Sequence, residues 1–216
     1  MRSNEYQVLD IQTLSERTFR LRTERPSATI KAGQCFNVGL GNIGVNREYS
    51  MYSGAEDTYI DFLIREVEGG LVSPLLGKLK AGNVVEISGP YGEFCLNEAV
   101  LPQQKYLFVA TGTGVAPFHS FVKTYPGLDY SLLHGVRHPS EQYDRADYAE
   151  GRYVACVSQG GEGRQGMRVT DYLRQHPVSP GTVCYLCGNR NMIIEIFEIL
   201  REQGVSGDHI VTEVFF

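Results

Sequence analysis

Arg47-Glu48-Tyr49-Ser50 brings a fixed cation, a flat aromatic ring and a hydroxyl into four residues. On an extended segment, side chains alternate between faces, so Arg47 and Tyr49 share one face and Ser50 takes the other. A ligand with both a phosphate and a planar ring, the shape of a flavin nucleotide, could meet all three by wrapping the strand. Taken alone, the stretch reads equally as an ordinary strand with a surface arginine. A second candidate, Thr111-Gly112-Thr113-Gly114-Val115-Ala116-Pro117, directly follows an apolar run. Its glycines permit a tight turn, Pro117 opens a helix, and a pyrophosphate suits the amides of such a helix start at the carboxyl end of a sheet. It lacks the third glycine of the G-x-G-x-x-G fingerprint, where Pro117 stands, and no lysine follows as in a phosphate-binding P-loop. Cys187-Gly188-Asn189 ends another apolar run and leads into a helix, the same topological position in a second strand-helix unit. Its thiol reads equally as a small buried cysteine or as a group facing a ligand crevice.

The elements that must position these residues change character along the chain. Tyr6–Ile11, Thr18–Arg22, Cys35–Leu40, Glu48–Ser53, Tyr59–Arg65 and Val84–Ile87 are short runs of β-formers between turn signals. In Tyr59–Arg65, Ile60, Phe62 and Ile64 alternate with Asp61 and Arg65. Ser88-Gly89-Pro90 is expected to end the sixth strand. Six strands at short spacing predict a small antiparallel β-barrel. One helix is expected inside it: Ser73 as N-cap, Pro74 at the first helical position, Leu75, Leu76 and Leu79 facing inward and Gly82 as a stop. Gly69-Gly70 before it allow close backbone approach, and its free amides would attract an anion.

The polar stretch from Leu96 to Lys105, with Pro102, reads as a linker. Beyond it, Tyr106–Ala110, Tyr130–Leu133, Tyr153–Val157, Val183–Leu186 and Ile210–Phe215 are strand-like. Helical patterns follow the first, third and fourth of these: Pro117–Thr124, Val169–Gln175 and Asn191–Gln203. In the third, Met192, Ile193, Ile196, Ile199 and Leu200 form an apolar stripe opposite Glu195, Glu198 and Glu202. This alternation predicts a parallel α/β sheet with right-handed crossovers. The expected boundaries are residues 1–98 for the barrel domain and 102–216 for the α/β domain.

Composition narrows the function classes. The chain has 216 residues with 42% hydrophobic and 21% charged content, within the range of an ordinary globular protein. A net charge of −5 without a basic run argues against nucleic-acid binding. Five scattered cysteines make no disulfide framework and fit a reducing compartment. Cys184-x-x-Cys187 lies within or at the end of the apolar run Val183–Leu186 rather than opening a helix as a redox motif does, and the second pair a zinc site wants is missing, so no metal is expected. The N-terminal residues have no signal-peptide pattern, and no run approaches membrane-spanning length, so a cytoplasmic protein is expected.

Taken in order, Arg47-Glu48-Tyr49-Ser50, Gly70-Leu71-Val72-Ser73, Gly89-Pro90-Tyr91-Gly92-Glu93-Phe94, Gly112-Thr113-Gly114-x-x-Pro117, Cys187-Gly188-Asn189 and Glu213-Val214-Phe215-Phe216 form a series that resembles the ferredoxin–NADP reductases over nearly the whole chain. The resemblance implies two domains: a flavin-binding antiparallel β-barrel of Greek-key type, then an α/β parallel-sheet nucleotide-binding domain. It implies FAD as cofactor and NADPH as substrate, with NADH as the alternative. It implies hydride transfer between NADPH and flavin N5, coupled to one-electron exchange with a ferredoxin or flavodoxin. By the same resemblance, Arg47 pairs with the flavin pyrophosphate, Tyr49 lies against the isoalloxazine and Ser50 stands near N5, with Glu48 between them. The backbone of Ile64, Arg65 and Glu66 lines the adenosine. Leu71, Val72 and Ser73 give amides, and Ser73 its hydroxyl, to the pyrophosphate. Phe215 or Phe216 covers the other flavin face.

For the nicotinamide nucleotide, the resemblance points to Thr111, Gly112, Thr113, Gly114 and Pro117, with Thr113 touching both nucleotides. Cys187, with Gly188 and Asn189, packs beside the nicotinamide, and Glu213 hydrogen-bonds to Ser50 or the incoming ring. Ser50, Cys187 and Glu213 are thus the expected catalytic groups, in positioning and proton handling. Arg137, after Val136, together with Ser158 and Arg168, matches positions that hold a 2′-phosphate. Gln159 stands where bacterial members often carry arginine, and Arg164 is a substitute charge. Three other readings stay open: a reductase that uses flavin as substrate, the reductase component of an oxygenase, and a nucleotide-binding module without redox chemistry. A monomer or weak dimer that touches neither nucleic acid nor membrane is expected.

Overall fold

The computed structural model describes residues 4–41, 43–101, 103–159 and 166–215. Its contacts divide the chain into two compact units: Met1–Leu96 with Ala116–Thr124, and Asn97–Val115 with Tyr125–Phe216. Among the described residues, no helix is long and apolar enough to cross a membrane.

Among the described residues, six strands build the first unit: β1 (Glu5–Ser15), β2 (Thr18–Glu24), β3 (Cys35–Leu40), β4 (Val45–Ser50), β5 (Tyr59–Arg65) and β6 (Val84–Tyr91). Their order is β4-β3-β6-β1-β2-β5, and every pairing is antiparallel. The two ends of that row meet. Met51 bridges Phe62, and the Tyr52 N–H donates to the Asp61 carbonyl at 2.8 Å. The sheet therefore closes into a barrel, which pairs its edges. Sequential hairpins β1–β2 and β3–β4, with β6 returning between β3 and β1, give the Greek-key connectivity. Leu21, Phe36, Val38, Ile60, Phe62, Ile64, Val85 and Ile87 fill the interior.

Three local expectations are corrected here. β4 covers Val45–Ser50 rather than Glu48–Ser53, because Val45 pairs with Leu40 and the chain leaves β3 for β5 at Met51. β6 does not stop at Ser88 but runs to Tyr91, with a register shift against β3 between Cys35 and Asn37. Gly89 sits at this irregularity with φ 140°, and a Cβ there would come 2.8 Å from the Phe36 ring, so glycine marks a bulge rather than a strand end. The expected helix after Gly70 is a single turn, α1 (Ser73–Leu76), whose N-cap is Val72. Ser73 does not cap it, because its Oγ accepts from the Val67 N–H at 3.0 Å. Leu75 is exposed, and Leu76 with Val72 does the burying.

Asp61 is the other departure. Strand alternation puts it opposite the core face, yet it is only 4% exposed. Cross-strand pairing sets it against Arg22, which donates to both carboxylate oxygens at 2.8 Å, with Arg20 Nε at 3.8 Å. Pairing of this kind offsets the cost of taking a carboxylate out of water. Arg22 also lies 3.6 Å over the Tyr59 ring, and its hydrogen bonds to Asp61 hold its proton more tightly still. The helix α2 (Ala116–Thr124) belongs by its contacts to this unit. Phe118 and Phe121 lie 6.0 and 6.2 Å from the Phe94 ring, and His119 Nδ1 is 2.6 Å from the Tyr52 carbonyl.

The second unit holds β7 (Lys105–Thr111), β8 (Asp129–Val136), β9 (Tyr153–Val157), β10 (Val183–Asn189) and β11 (Ile210–Phe215), with helices α3 (Val169–Gln175) and α4 (Arg190–Glu202). The strands are all parallel in the order β11-β10-β7-β8-β9. After β7 the chain moves outward through β8 and β9, then crosses back to β10 on the other side. The switch point thus lies between β7 and β10. The α4 stripe is buried as its spacing predicts, and Asn189 caps the helix by accepting from the Asn191 and Met192 amides. β8 outruns its expected end at Leu133 by three residues, because pairing with β7 and β9 continues through His134 to Val136.

Candidate active site

In the first unit, β4 sets the geometry of the chemical tetrad. Tyr49 lies opposite Phe36 and Arg47 opposite Val38, while Glu48 faces Asn37 and Ser50 faces Cys35. The register therefore separates Arg47 and Tyr49 from Glu48 and Ser50, as alternation requires. The Arg47 guanidinium is exposed, with Nη1 donating to the Asn46 carbonyl at 2.8 Å. Tyr49 is half-buried, its ring 6.5 Å from that of Phe62. Burial pushes its phenol up to about 12, against a smaller opposing pull from Arg47, so the ring is neutral at physiological pH. Ser50 is buried at 4% exposure, where the strand turns from β3 towards β5. Glu48 is exposed.

β5 carries the next group. Ile64 is fully buried and so offers only its backbone, Arg65 is partly covered and Glu66 is exposed. The Ser73 contact to Val67 draws the Leu71–Ser73 turn to the end of this strand. Gly70 makes the turn possible: its N–H donates to the Val67 carbonyl at 2.9 Å, and an added Cβ would also meet that oxygen at 2.9 Å. Because Ser73 Oγ accepts from Val67, the hydroxyl proton is left to donate. Val72 is buried and Leu71 is 65% exposed. A flat half-buried phenol, an exposed guanidinium and a hydroxyl donor are the donor set that a ring-bearing diphosphate needs, so the residues of this unit fit a flavin nucleotide.

In the second unit, the two glycine turns meet at the switch point. Thr111 ends β7, and Gly112–Val115 form one 3-10 turn, with φ of +53° at Gly112. A Cβ on Gly114 would lie 2.5 Å from the Cys187 carbonyl oxygen, and one on Gly188 would lie 2.4 Å from Thr111 Oγ1. Thr111 Oγ1 accepts the Asn189 N–H at 2.9 Å. The carboxyl ends of β7 and β10 are thus locked backbone to backbone, with Thr113 half-buried beside them. Pro117 is buried in the first turn of α2.

Cys187 is fully buried in β10, paired with Glu213 of β11, and its thiol donates to Glu213 Oε2 at 3.7 Å. Burial chiefly, and the Glu213 carboxylate in addition, push this thiol well above its ordinary range. It is a neutral hydrogen-bond donor, not a thiolate nucleophile. Cys184, three residues earlier on the same strand, points to the opposite face, so the C-x-x-C spacing does not converge. Phe215 is half-buried and pairs with Asn189.

The expected 2′-phosphate residues gather at the carboxyl ends of β8 and β9. The Ser158 N–H donates to the Val136 carbonyl at 2.9 Å, and the Gln159 N–H to Arg137 at 3.0 Å. The Met167 N–H donates to the Val157 carbonyl at 2.9 Å, which places Arg168 at the same edge. Arg137 and Arg168 are exposed. The Ser158 hydroxyl is directed to the Val136 carbonyl at 3.1 Å, so it faces an incoming phosphate with lone pairs only. Arg164 and Phe216 lie outside the described residues.

Sequence reasoning missed His134. It is completely buried, with Nε2 2.8 Å from the Gly112 carbonyl and Nδ1 2.8 Å from the Tyr153 hydroxyl. Its signal was a polar residue directly after the apolar Tyr130–Leu133 run, which reads as the place where a strand ends. Among the described residues, no group of three or more His, Cys, Asp or Glu side chains is arranged to hold a metal ion.

Comparison with known proteins gives concordant matches. The family model for oxidoreductase FAD-binding domains matches residues 6–95, and that for oxidoreductase NAD-binding domains matches residues 108–196. The electron transfer component of toluate 1,2-dioxygenase from Pseudomonas putida is 31% identical over 96% of this chain and 66% of its own length. The phenol hydroxylase P5 protein of Acinetobacter pittii is 29% identical over 96% of this chain and 64% of its own. The chain therefore spans just under two thirds of the length of these curated relatives. An Amycolatopsis cytochrome P450 reductase structure is 26% identical and superposes with a TM-score of 0.86, covering 98% of this chain and 69% of the other. A ferredoxin NADP+ reductase from Neisseria gonorrhoeae, solved with FAD and NADP, has the same fold at a TM-score of 0.87 and 23% identity, covering 98% of both chains.

Proposed function

The chain belongs to the ferredoxin–NADP reductase family, joining an oxidoreductase FAD-binding domain to an oxidoreductase NAD-binding domain, and on that premise we propose that it oxidises a reduced nicotinamide nucleotide and passes the electrons singly to a separate acceptor. The observation that carries this reading is the conjunction of the two glycine turns at the β7–β10 switch point with an Arg-Glu-Tyr-Ser strand in the barrel. The first suits a dinucleotide and the second a flavin. FAD supplies a centre that takes two electrons together and releases them one at a time.

The chain's own residues bind and orient. Arg47 and the Ser73 hydroxyl offer charge and a proton to the flavin diphosphate. Tyr49, held neutral by burial, gives a flat wall for the ring, and the Ser50 hydroxyl gives a hydrogen bond at its reactive edge. Gly112, where a Cβ would meet nothing within 4 Å, lets the backbone approach a second diphosphate, while Gly114 and Gly188 let the two turns close on each other. The Cys187 thiol keeps its proton and, with Glu213, shapes the nicotinamide pocket rather than attacking anything. Arg137 and Arg168 favour NADPH over NADH by charge.

The acceptor is a small redox protein, a ferredoxin or flavodoxin, or the oxygenase component of a multicomponent system. The second choice is favoured by relatives that are themselves electron-transfer or reductase components of oxygenases. We place the protein in the cytoplasm as a monomer or weak dimer. The test is anaerobic titration of the purified protein with NADPH and NADH, followed by reoxidation with ferredoxins, flavodoxins and an oxygenase. The expected result is a yellow protein that bleaches with one equivalent of nucleotide. Colourless protein that is active only with added flavin would establish a flavin reductase instead. Nucleotide binding without bleaching would leave a non-redox module. Arg168→Ala should raise the KM for NADPH far more than for NADH, and equal effects would remove the 2′-phosphate assignment. Ser50→Ala should retain flavin and lose most of its reduction rate.

A further inference from the structure

A histidine with no exposed surface in the middle of a parallel sheet needs both ring nitrogens satisfied. His134 faces Ala110 on β7 and Ala155 on β9, two small neighbours that leave room for the ring. The Gly112 carbonyl, 2.8 Å from Nε2, can only accept, so Nε2 carries the proton. Nδ1 then has only a lone pair, and the Tyr153 hydroxyl at 2.8 Å donates to it. The neutral imidazole thus has every polar group paired. Burial lowers its basicity to about 4, so the neutral form prevails at physiological pH. The Tyr153 ring meets the imidazole edge-on at 5.8 Å and is itself stacked on Tyr148 at 5.0 Å, which fixes the hydroxyl.

Gly112 is where such support matters. At φ +53° it adopts a conformation open chiefly to glycine, the residue that loses most freedom on ordering. Its peptide plane is rigid, with the carbonyl and the following N–H pointing in opposite directions. Holding the Gly112 carbonyl therefore fixes the direction of the Thr113 amide. The other side of the turn is already held by Thr111 Oγ1 accepting from Asn189.

We propose that His134, oriented by Tyr153, is a positioning residue for the nicotinamide dinucleotide: it clamps the Gly112 carbonyl so that the Gly112–Gly114 turn presents its amides to the pyrophosphate. The proposal rests on the nucleotide-binding reading above, because the clamp has no ligand to serve without it. His134 touches neither substrate nor cofactor and moves no proton.

The test compares wild type with His134→Leu, His134→Gln and Tyr153→Phe as flavin-loaded protein. Binding of NADP+, NAD+ and adenosine 2′-phosphate is measured by calorimetry, and exchange of the 111–115 amides by mass spectrometry. Glutamine keeps a donor and an acceptor at nearly the imidazole spacing. His134→Leu should weaken the dinucleotides about tenfold, ~1.4 kcal/mol, and speed exchange in 111–115, while adenosine 2′-phosphate, which lacks a pyrophosphate, binds as before. Tyr153→Phe should give a smaller loss of the same kind, and His134→Gln should restore most of it. Unchanged dinucleotide binding in both His134→Leu and Tyr153→Phe overturns the clamp. So does equal loss of all ligands without rescue by glutamine, which marks a merely structural histidine. If His134→Leu does not fold, Tyr153→Phe and His134→Gln decide by the same criteria. Wild-type protein that binds neither dinucleotide refutes the function reading itself, and the clamp falls with it.

Discussion

Replacing Gly114 by alanine tests the switch point directly. Gly114 lacks a positive φ, so alanine meets no backbone strain there and the effect is steric. The new Cβ would lie 2.5 Å from the Cys187 carbonyl oxygen and 2.8 Å from both the Cys187 carbonyl carbon and the Gly188 Cα. All three are backbone atoms at the end of β10, so no side chain can swing away. Ordinary contact begins near 3.4 Å, and the two strand ends must part by about 0.9 Å to reach it. Their neighbours resist, since Cys187 is still paired with Ala110 on β7 and with Glu213 on β11. Overpacking of this kind costs about 1–3 kcal/mol. At about 4 °C per kcal/mol for a unit of this size, the melting temperature should fall by roughly 4–12 °C, with a rise in the KM for nicotinamide nucleotide. Gly127 and Gly181 are the controls, because a Cβ at either meets nothing within 4 Å and neither has a positive φ. Gly127→Ala and Gly181→Ala should stay within about 1 kcal/mol of wild type. Scanning calorimetry and steady-state kinetics read both effects. A Gly114→Ala protein that melts with the controls and keeps the wild-type KM would refute the claim that the two turns are closed against each other.

Other perturbations follow from groups the fold buries. Asp61→Asn leaves Arg22 facing an amide in a largely dry site and should cost about 3 kcal/mol, read as a lower urea midpoint; loss below 1 kcal/mol would mean the pair is not effectively buried. Thiol titration should label Cys95 alone in the native protein and all five cysteines after denaturation, because Cys35, Cys156, Cys184 and Cys187 are buried; rapid native labelling of Cys187 would contradict its raised thiol pKa. His134 should make stability fall with acid. Its folded value near 4 lies below the ordinary 6.5, so the unfolded chain binds the extra proton between these values, and the contribution is full above pH 6.5 and lost as pH falls towards 4. Going from pH 7 to pH 5 should cost about 2 kcal/mol, and His134→Gln should abolish that part of the slope. Burial sets the direction of the shift, the hydrogen bond to the Gly112 carbonyl and then the Glu141 charge oppose it, and the Tyr153 and Tyr143 rings lie beside the imidazole.

Much of the frame was legible because it rests on local periodicity. The α4 stripe, the bounds of β5 and β9 and the alternation of Arg47, Tyr49 and Ser50 each need only one element's own repeat. What failed needed a partner outside the element itself. β6 passes through Ser88-Gly89-Pro90 because β3 absorbs the irregularity in a register shift, which no local turn signal can announce. Alternation put Asp61 on the face away from Ile60, Phe62 and Ile64 and could not show Arg22, its counter-charge 39 residues away. Ser73 looked like an N-cap because its hydroxyl was matched to the following turn, while Val67 behind it is the donor. His134 was lost for the same reason: a lone polar residue ends an apolar pattern, and only the fold reveals the tyrosine and the carbonyl that satisfy it.

The glycine turn shows where sequence information stops and packing begins. Thr111-Gly112-Thr113-Gly114 announces a sharp turn, because glycine alone makes φ +53° cheap. Yet glycine is also the residue least able to hold a turn in one shape, and a pyrophosphate needs amides that are aimed before it arrives. The structure resolves that conflict with contacts from both flanking strands. β10 supplies the Asn189 amide and the close fit of Gly188 on Thr111, and β8 supplies the His134 imidazole. A motif that departs from the G-x-G-x-x-G fingerprint can therefore still be rigid, since its order comes from neighbouring strands rather than from its own third glycine. On this argument, substitutions at Thr111, His134 and Asn189 should couple in nucleotide affinity, with a double-mutant interaction energy of about 0.5–3 kcal/mol, whereas each paired with Asp61→Asn in the barrel should be additive.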